Sequence, residues 1–394
     1  MLNQMSANTL LKSVIAVAAA AIVVMLGLNA WKSWERLDTT TRISRVADAS
    51  GFAFTALHNL RTDRATVRRD LVADSIIEPS EAARLQSMFQ AEMPALNALA
   101  ERLGTIEFVG GASLRASLQQ SITTLTRLQP EAWDALHKPK AERSNPDAMS
   151  KQYWDEESGL LDTLDKISTA ITASIKRDDA FVDEMMELKQ LAWMVRNVAG
   201  DASLMISVST SNGKMSPDVT QKFTAWDGGS EALWSAVLDS TSGTALPARV
   251  KEAIDKAQQE YFGAEYKATR GRMLKALQAG EKPEMTATQW APYTVGHLAT
   301  LLGVADAAIE AAKEHAAAQH GAATLDLSLQ LGLLTLAIAI SAGAFLAIGR
   351  RVITPLHKIR DAMLRVAGGD LSVEVGFADR RDEIGALSGA LATF

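Results

Sequence analysis

Apolar residues recur at intervals of three and four along most of the chain, the spacing of helices that bury one face. Residues 36–78 read as one long helix stopped by Pro79. Further helices are expected over 80–103, 112–137, 149–209, 216–241 and 247–279. Gly104, Gly110-Gly111, the polar stretch HKPKAERSNPDA at 137–148, Ser211-Asn212-Gly213 and GEKP at 280–283 punctuate them. A last helix starts near Met285. Strand-like alternation is nearly absent, so the expected fold class is all-α. An unbroken helix through 149–209 would be about 90 Å long. That length, and a segment too large for one bundle core, predict two bundles stacked along shared long helices.

Two stretches carry no charge at all. Residues 14–30 are apolar, extended upstream by Leu10 and Leu11 and followed by Trp31 and Trp34, as interfacial aromatics would be. Residues 327–348 form a second run that spans about 33 Å as a helix, enough to cross a hydrocarbon core. A cleaved signal peptide competes for the first run, but its length and the lack of a clear cleavage site favour a retained span. Arg350, Arg351, Lys358, Arg360 and Arg365 follow the second run, whereas Asp326, His320, His315 and Lys313 precede it. Positive residues stay cytoplasmic, so both ends are expected inside and residues 31–326 outside the membrane. The expected division is an N-terminal tail at 1–9, spans at 10–30 and 327–348, a sensor domain at 31–326 and a cytoplasmic segment at 349–394.

One position breaks the pattern. Ile43, Val46, Ser50, Ala53, Leu57, Leu60, Arg64, Val67 and Leu71 step forward as the seam of a packed helix, and Arg64 places a cation on it. Arg61 and Arg68 lie on the same side. A faint internal repeat aligns LAWMVRNVAGDASLMI at 191–206 with 56–71, putting Arg196 on Arg61. Around Arg196, Ala192, Ala199, Gly200 and Ser203 leave space, and Trp193 offers a wall. A buried guanidinium must find acceptors, and its planar fork suits carboxylates or nitrate-like oxyanions. Arg61, Arg64, Arg196 and Trp193 are therefore the candidate contacts for a small anionic ligand. The competing reading pairs Arg64 with Asp63, Asp70 or an acid on another helix, or runs its stem along the seam to water. Arg68 and Arg69 are expected on the solvated surface, and Trp133, Trp154, Trp226, Trp234 and Trp290 in the core.

Composition narrows the classes. The chain has 47% hydrophobic and 22% charged residues, as a folded protein does. There is no cysteine, which excludes disulfides and thiolate metal sites. A net charge of −6 without a basic face gives no reason to expect nucleic acid. The six histidines include no i,i+4 metal pair. His315 and His320 are read as interfacial side chains. Phosphate loops and nucleophile arrangements are absent, so neither enzymatic activity, a metal site nor a cofactor is expected.

In the C-terminal segment, Leu356, Ile359, Met363 and Val366 form one apolar stripe and Ile384, Leu387, Leu391 and Phe394 another. Two such helices from each of two chains would close a parallel four-helix bundle. RRVITPLHKIRDAMLRVAGGDLSVEVGFADRRDEIGALSGALATF resembles a HAMP domain following a transmembrane helix. Pro355 matches that family's proline at the start of its first helix, and Asp382-Glu383-Ile384-Gly385 its DEIG start of the second. The resemblance implies a homodimer that relays signals, with Pro355, Gly369, Asp382, Glu383 and Ile384 as relay positions. An output module is expected beyond residue 394: a methyl-accepting hairpin, a histidine kinase or a cyclic-dinucleotide enzyme, through which downstream signalling proteins would be reached. Residues 36–326 are similar to two families of bacterial input domains, the helical bimodular and the nitrate- and nitrite-sensing. LRTDRA at 60–65 resembles the arginine-centred segment of the latter, with Ala65 where a glycine is usual. TATQWAPYTVGHLATLLGVADAAIE at 286–310 resembles the final helix of such sensors. Together these likenesses imply the input half of a methyl-accepting chemotaxis protein in a bacterial inner membrane, with a periplasmic sensor for carboxylate or nitrate-like anions.

Overall fold

The computed structural model describes residues 7–370 and 372–393. Phe394, expected on the second apolar stripe, and residues 1–6 of the expected tail lie outside them. The described residues form helices α1 (Ala7–Val72), α2 (Pro79–Leu103), α3 (Gly111–Leu136), α4 (Pro146–Ser174), α5 (Ala180–Ser211), α6 (Pro217–Thr241), α7 (Ala248–Glu260), α8 (Ala264–Ala279), α9 (Ala287–Ile348), α10 (Thr354–Ala367) and α11 (Glu383–Ala392), without a strand. They fall into two compact units, Thr39–His320 and Met1–Asp38 with Gly321–Phe394.

Within Thr39–His320, α1 to α4 make an up-down-up-down bundle. Arg102 of α2 meets Asp48 and Arg84 meets Thr66, so α2 runs against α1. Tyr153 reaches Asp63 and Ser150 the carbonyl of Arg68, so α4 does likewise. The expected seam is buried: Ile43, Val46, Leu57, Leu60, Val67 and Leu71 have at most 4% exposure. A second group of α5, α6, α8 and α9 closes around Trp234, Tyr261, Tyr266 and Trp290.

The single helix expected over 149–209 is two. Residues 175–179 turn the chain back, so Lys189 meets Ser168 and Trp193 meets Asp165 across antiparallel α4 and α5. KRDD at 176–179 holds the stop and the start. Arg177 adopts φ +75°, and its N–H donates to Asp183 at 2.8 Å. Asp179 then accepts from the Val182 N–H at 3.0 Å as the N-cap of α5. Since α5 returns alongside α1, the two helical groups lie beside one another at the level of residues 61–64 instead of end to end. The helix expected over 247–279 also breaks, at Gly263, where a Cβ would stand 1.9 Å from the Gln259 carbonyl oxygen.

The stretch expected as a loop at 137–148 conceals a staple. Arg143, 7% exposed, donates to the carbonyls of Ala135 and Lys138 through Nε, to Asp70, Leu71 and Ala73 through Nη1, and to Ser75 through Nη2, at 2.7–2.9 Å. Asp70 and Leu71 belong to the last turn of α1, whose carbonyls lack partners within the helix, and Ala135 to that of α3, while Ala73, Ser75 and Lys138 lie in the segments that follow.

In the other unit, α1 and α9 contain two helices long and apolar enough to cross a membrane. Their side chains point outward: Val17 is 70% exposed and Leu329 66%. Ser33 donates to Asp326 at 2.6 Å. After Ile348 the helix widens into a π turn, Gly349–Ile353, before α10. Pro355 follows the π turn within a helix that runs on from Ala287 to Ala367, where it has no N–H to give to the preceding turn. Gly369 takes φ +92° in the connector. Asp382 caps α11 by accepting from the Gly385 N–H at 3.1 Å, and Glu383 and Ile384 open that helix. A Cβ on Gly385 would lie 1.8 Å from the Arg380 carbonyl oxygen, so only glycine fits there. Ile359, Ala362, Ile384 and Leu391 form a small core, while Leu356, Met363 and Leu387 remain exposed.

Candidate functional site

Arg61, Arg64 and Arg196 converge on one cavity of about 410 Å³, lined also by Trp154, Gly200, Ser203, Leu204, Trp290 and Thr294. Arg61 and Arg64 project from α1 and Arg196 from α5, which the turn at 175–179 brings alongside. Arg61 is neutralised: Nη2 pairs with Asp201 at 2.7 Å and donates to the Asn197 carbonyl at 3.1 Å. Arg64 pairs with neither Asp63 nor Asp70. Its Nη1 donates to Ser158 Oγ at 2.8 Å, its guanidinium carbon lies 4.2 Å from the Trp154 ring centre, and its buried Nε has no acceptor.

Arg196 is more isolated. It is 7% exposed, forms no ion pair with a described residue, and its Nε is also without an acceptor. Burial first, then the charge of Arg61, brings its pKa down to about 9. A Cβ on Gly200 would stand 3.0 Å from Arg196 Nη1, so the missing side chain keeps the space the guanidinium occupies. Two cations thus face one cavity without a carboxylate each. Arg69 and Arg84, at the cavity's edge, both pair with Glu81, and Arg69 with Asp70 as well. The far wall is tied together by Ser203 donating to Thr294 at 2.9 Å and the Trp290 indole donating to the Ser203 carbonyl at 3.3 Å.

Trp193 is not part of this lining. It packs edge-on against Phe54 and donates to Asp165 at 3.2 Å. Trp154 takes the role of wall expected of Trp193: Arg64 lies over its ring, and so does Arg68, which is exposed as expected. His315 meets Asp179 at 3.0 Å and lies tilted against the Phe181 ring.

His58 is close enough to Arg196 to feel its charge. Burial, then the Arg196 charge, lowers its pKa from 6.5 to about 4, and its Nδ1 is buried without a partner. Between these values the unfolded chain takes up a proton that the folded chain refuses. The stabilisation is therefore complete above pH 6.5 and is lost as the pH falls toward 4. Thermal unfolding at neutral and mildly acid pH should show a smaller acid-induced drop in Tm for His58→Gln than for the unmodified chain. The comparison with the variant isolates this component from Asp63, whose carboxyl is pushed up to about 7 by burial and works in the opposite direction.

A second polar constellation lies in the bundle of α1 to α4. Asp63, Glu92 and Glu157 are fully buried, and each offers a carboxylate oxygen within 4.8 Å of the others'. Gln129 of α3 donates to Glu92, and the Tyr153 hydroxyl donates to Asp63 at 3.1 Å. The sequence reading missed this layer because its members come from helices far apart in the chain.

Residues 347–394 match the HAMP domain family. A solved structure of the NasR transcription antiterminator superposes with a TM-score of 0.54 at 14% identity, covering 92% of this chain and 97% of that one, a likeness of fold. No curated protein matches. The HAMP domain marks the chain as the input module of a signal-transduction receptor.

Proposed function

We propose that this module senses a small oxyanion, nitrate-like or a carboxylate, in the bacterial periplasm and relays its binding across the inner membrane for chemotaxis. The observation that carries the reading is the pair Arg64, half-buried, and Arg196, buried, two guanidiniums without carboxylate partners on one cavity. A buried cation left alone is costly, and an anion accepting from both would relieve that cost and their mutual repulsion.

The mechanism follows from what lines the cavity. An anion held between α1 and α5 draws these helices together. Trp290, Thr294 and Leu298 of α9 line the same space, and α9 runs on to Ile348. Differential affinity for two packings of these helices, worth a few kcal/mol, is enough to bias the relay. The exposed Leu356, Met363 and Leu387 support pairing of two HAMP segments in a homodimer. A kinase or cyclic-dinucleotide output beyond residue 394 would use the same input.

Calorimetry on the purified full chain in lipid nanodiscs, titrated with nitrate, nitrite, acetate and succinate, tests the proposal. Saturable heat with one of these anions, lost in Arg64→Ala with helicity retained, is the expected result. Absence of heat with every anion would favour a receptor that reads another protein.

A further inference from the structure

The cavity explains the arginines but not the acids beside it. Asp63, Glu92 and Glu157 are each 0% exposed. Gln129 donates to Glu92 and Tyr153 to Asp63, and no lysine or arginine forms an ion pair with any of the three among the described residues. Asp63 Oδ1, Glu92 Oε2 and both oxygens of Glu157 are buried without a hydrogen-bond donor. Three carboxylates in that state could not all remain ionised in a dry core unless something positive lay between them.

We propose that this layer is a binding site for a hard divalent cation of calcium's size, held by Asp63 of α1, Glu92 of α2 and Glu157 of α4. All the donors are oxygen, the set that suits calcium, magnesium and manganese and not the softer metals. Oxygens on opposite sides of a calcium ion are about 5 Å apart, because each lies at roughly 2.3–2.6 Å. The three carboxylates converge within 4.8 Å of one another, which fits that span. Facing helices of a four-helix bundle commonly build metal sites from inward-pointing carboxylates. Glu157 gives the most direct pointer: it is wholly buried, with neither oxygen satisfied, and faces the other two acids. The alternative is neutralisation by protons shared among the acids. The site does not depend on the identity of the anion in the adjacent cavity.

The test uses the full chain in nanodiscs, stripped with chelator and then supplied with calcium, magnesium or manganese chloride. The expected result is one calcium or manganese per chain by elemental analysis after desalting, with Tm raised by several degrees over the chelated form. Glu157→Gln should lose both the retained metal and the Tm shift. If that variant does not fold, metal content and Tm shift of the unmodified chain decide alone, and Asp63→Asn repeats the comparison. No retained metal and no Tm shift at millimolar concentrations of all three cations would overturn the proposal and assign the layer to shared protons.

Discussion

Arg196→Ala is expected to weaken anion binding by at least about 100-fold, near 3 kcal/mol, while leaving the ligand-free chain as stable as before or more so. The two effects have one origin. Arg196 is buried, lacks an ion pair among the described residues, and is opposed by Arg61 and Arg64. Removing a cation in that position relieves a cost in the empty state. With an anion present, the same cation is half of a desolvated pair and its loss is expensive. Calorimetry with the tightest-binding anion, beside thermal unfolding with and without it, checks both. The unmodified chain should gain Tm with the anion and the variant should not. A variant that unfolds readily without any anion would make Arg196 a structural residue instead. Arg196→Lys should recover little of the affinity, because an ammonium cannot offer the two parallel donors of a guanidinium.

Arg143→Ala should cost about 3–5 kcal/mol of stability in the sensor unit, the size expected when a buried, fully hydrogen-bonded charge is removed. One guanidinium serves carbonyls at the end of α1, in the turn that follows it and near the end of α3. Truncation strands those acceptors where water does not easily reach, and a methyl group replaces none of the bonds. Arg143→Lys should remain well below the unmodified chain, since one ammonium cannot span acceptors spread over both segments. Chemical denaturation followed by circular dichroism gives the magnitude. Amide exchange gives the place, with protection expected to fall around residues 70–77 and 135–143 before it falls in α5.

The helical character of the chain was legible because its apolar spacing is helical nearly throughout, and the breaks at Pro79, Gly110 and GEKP lie close to the helix ends. Arg64 was legible for a different reason: a cation on an apolar seam stands out in the sequence, and in the structure it pairs with neither Asp63 nor Asp70 but sits half-buried against Trp154 and Ser158. What stayed hidden depends on pairing between helices. The turn at 175–179 has neither glycine nor proline to mark it, and only a left-handed Arg177 and a capping Asp179 reveal it. Missing that turn hid the return of α5 along α1 and left Trp193 as the apparent wall in place of Trp154, which comes from α4. Nothing in the apolar spacing of their own helices singles out Glu92 or Glu157. They become a layer only once α2 and α4 both run against α1.

The wide turn at Gly349–Ile353 sets the angular phase between α9 and α10. Each residue of an ordinary helix advances the azimuth by about 100° for a rise of about 1.5 Å. A π turn holds one residue more than the α-helical repeat, so it offsets everything downstream by about that angle. Tightening it would swivel Ile359 and Leu356 about the helix axis with scarcely any change in length. A segment built this way can turn a small piston stroke into a rotation, which would change the face α10 presents to a neighbouring helix.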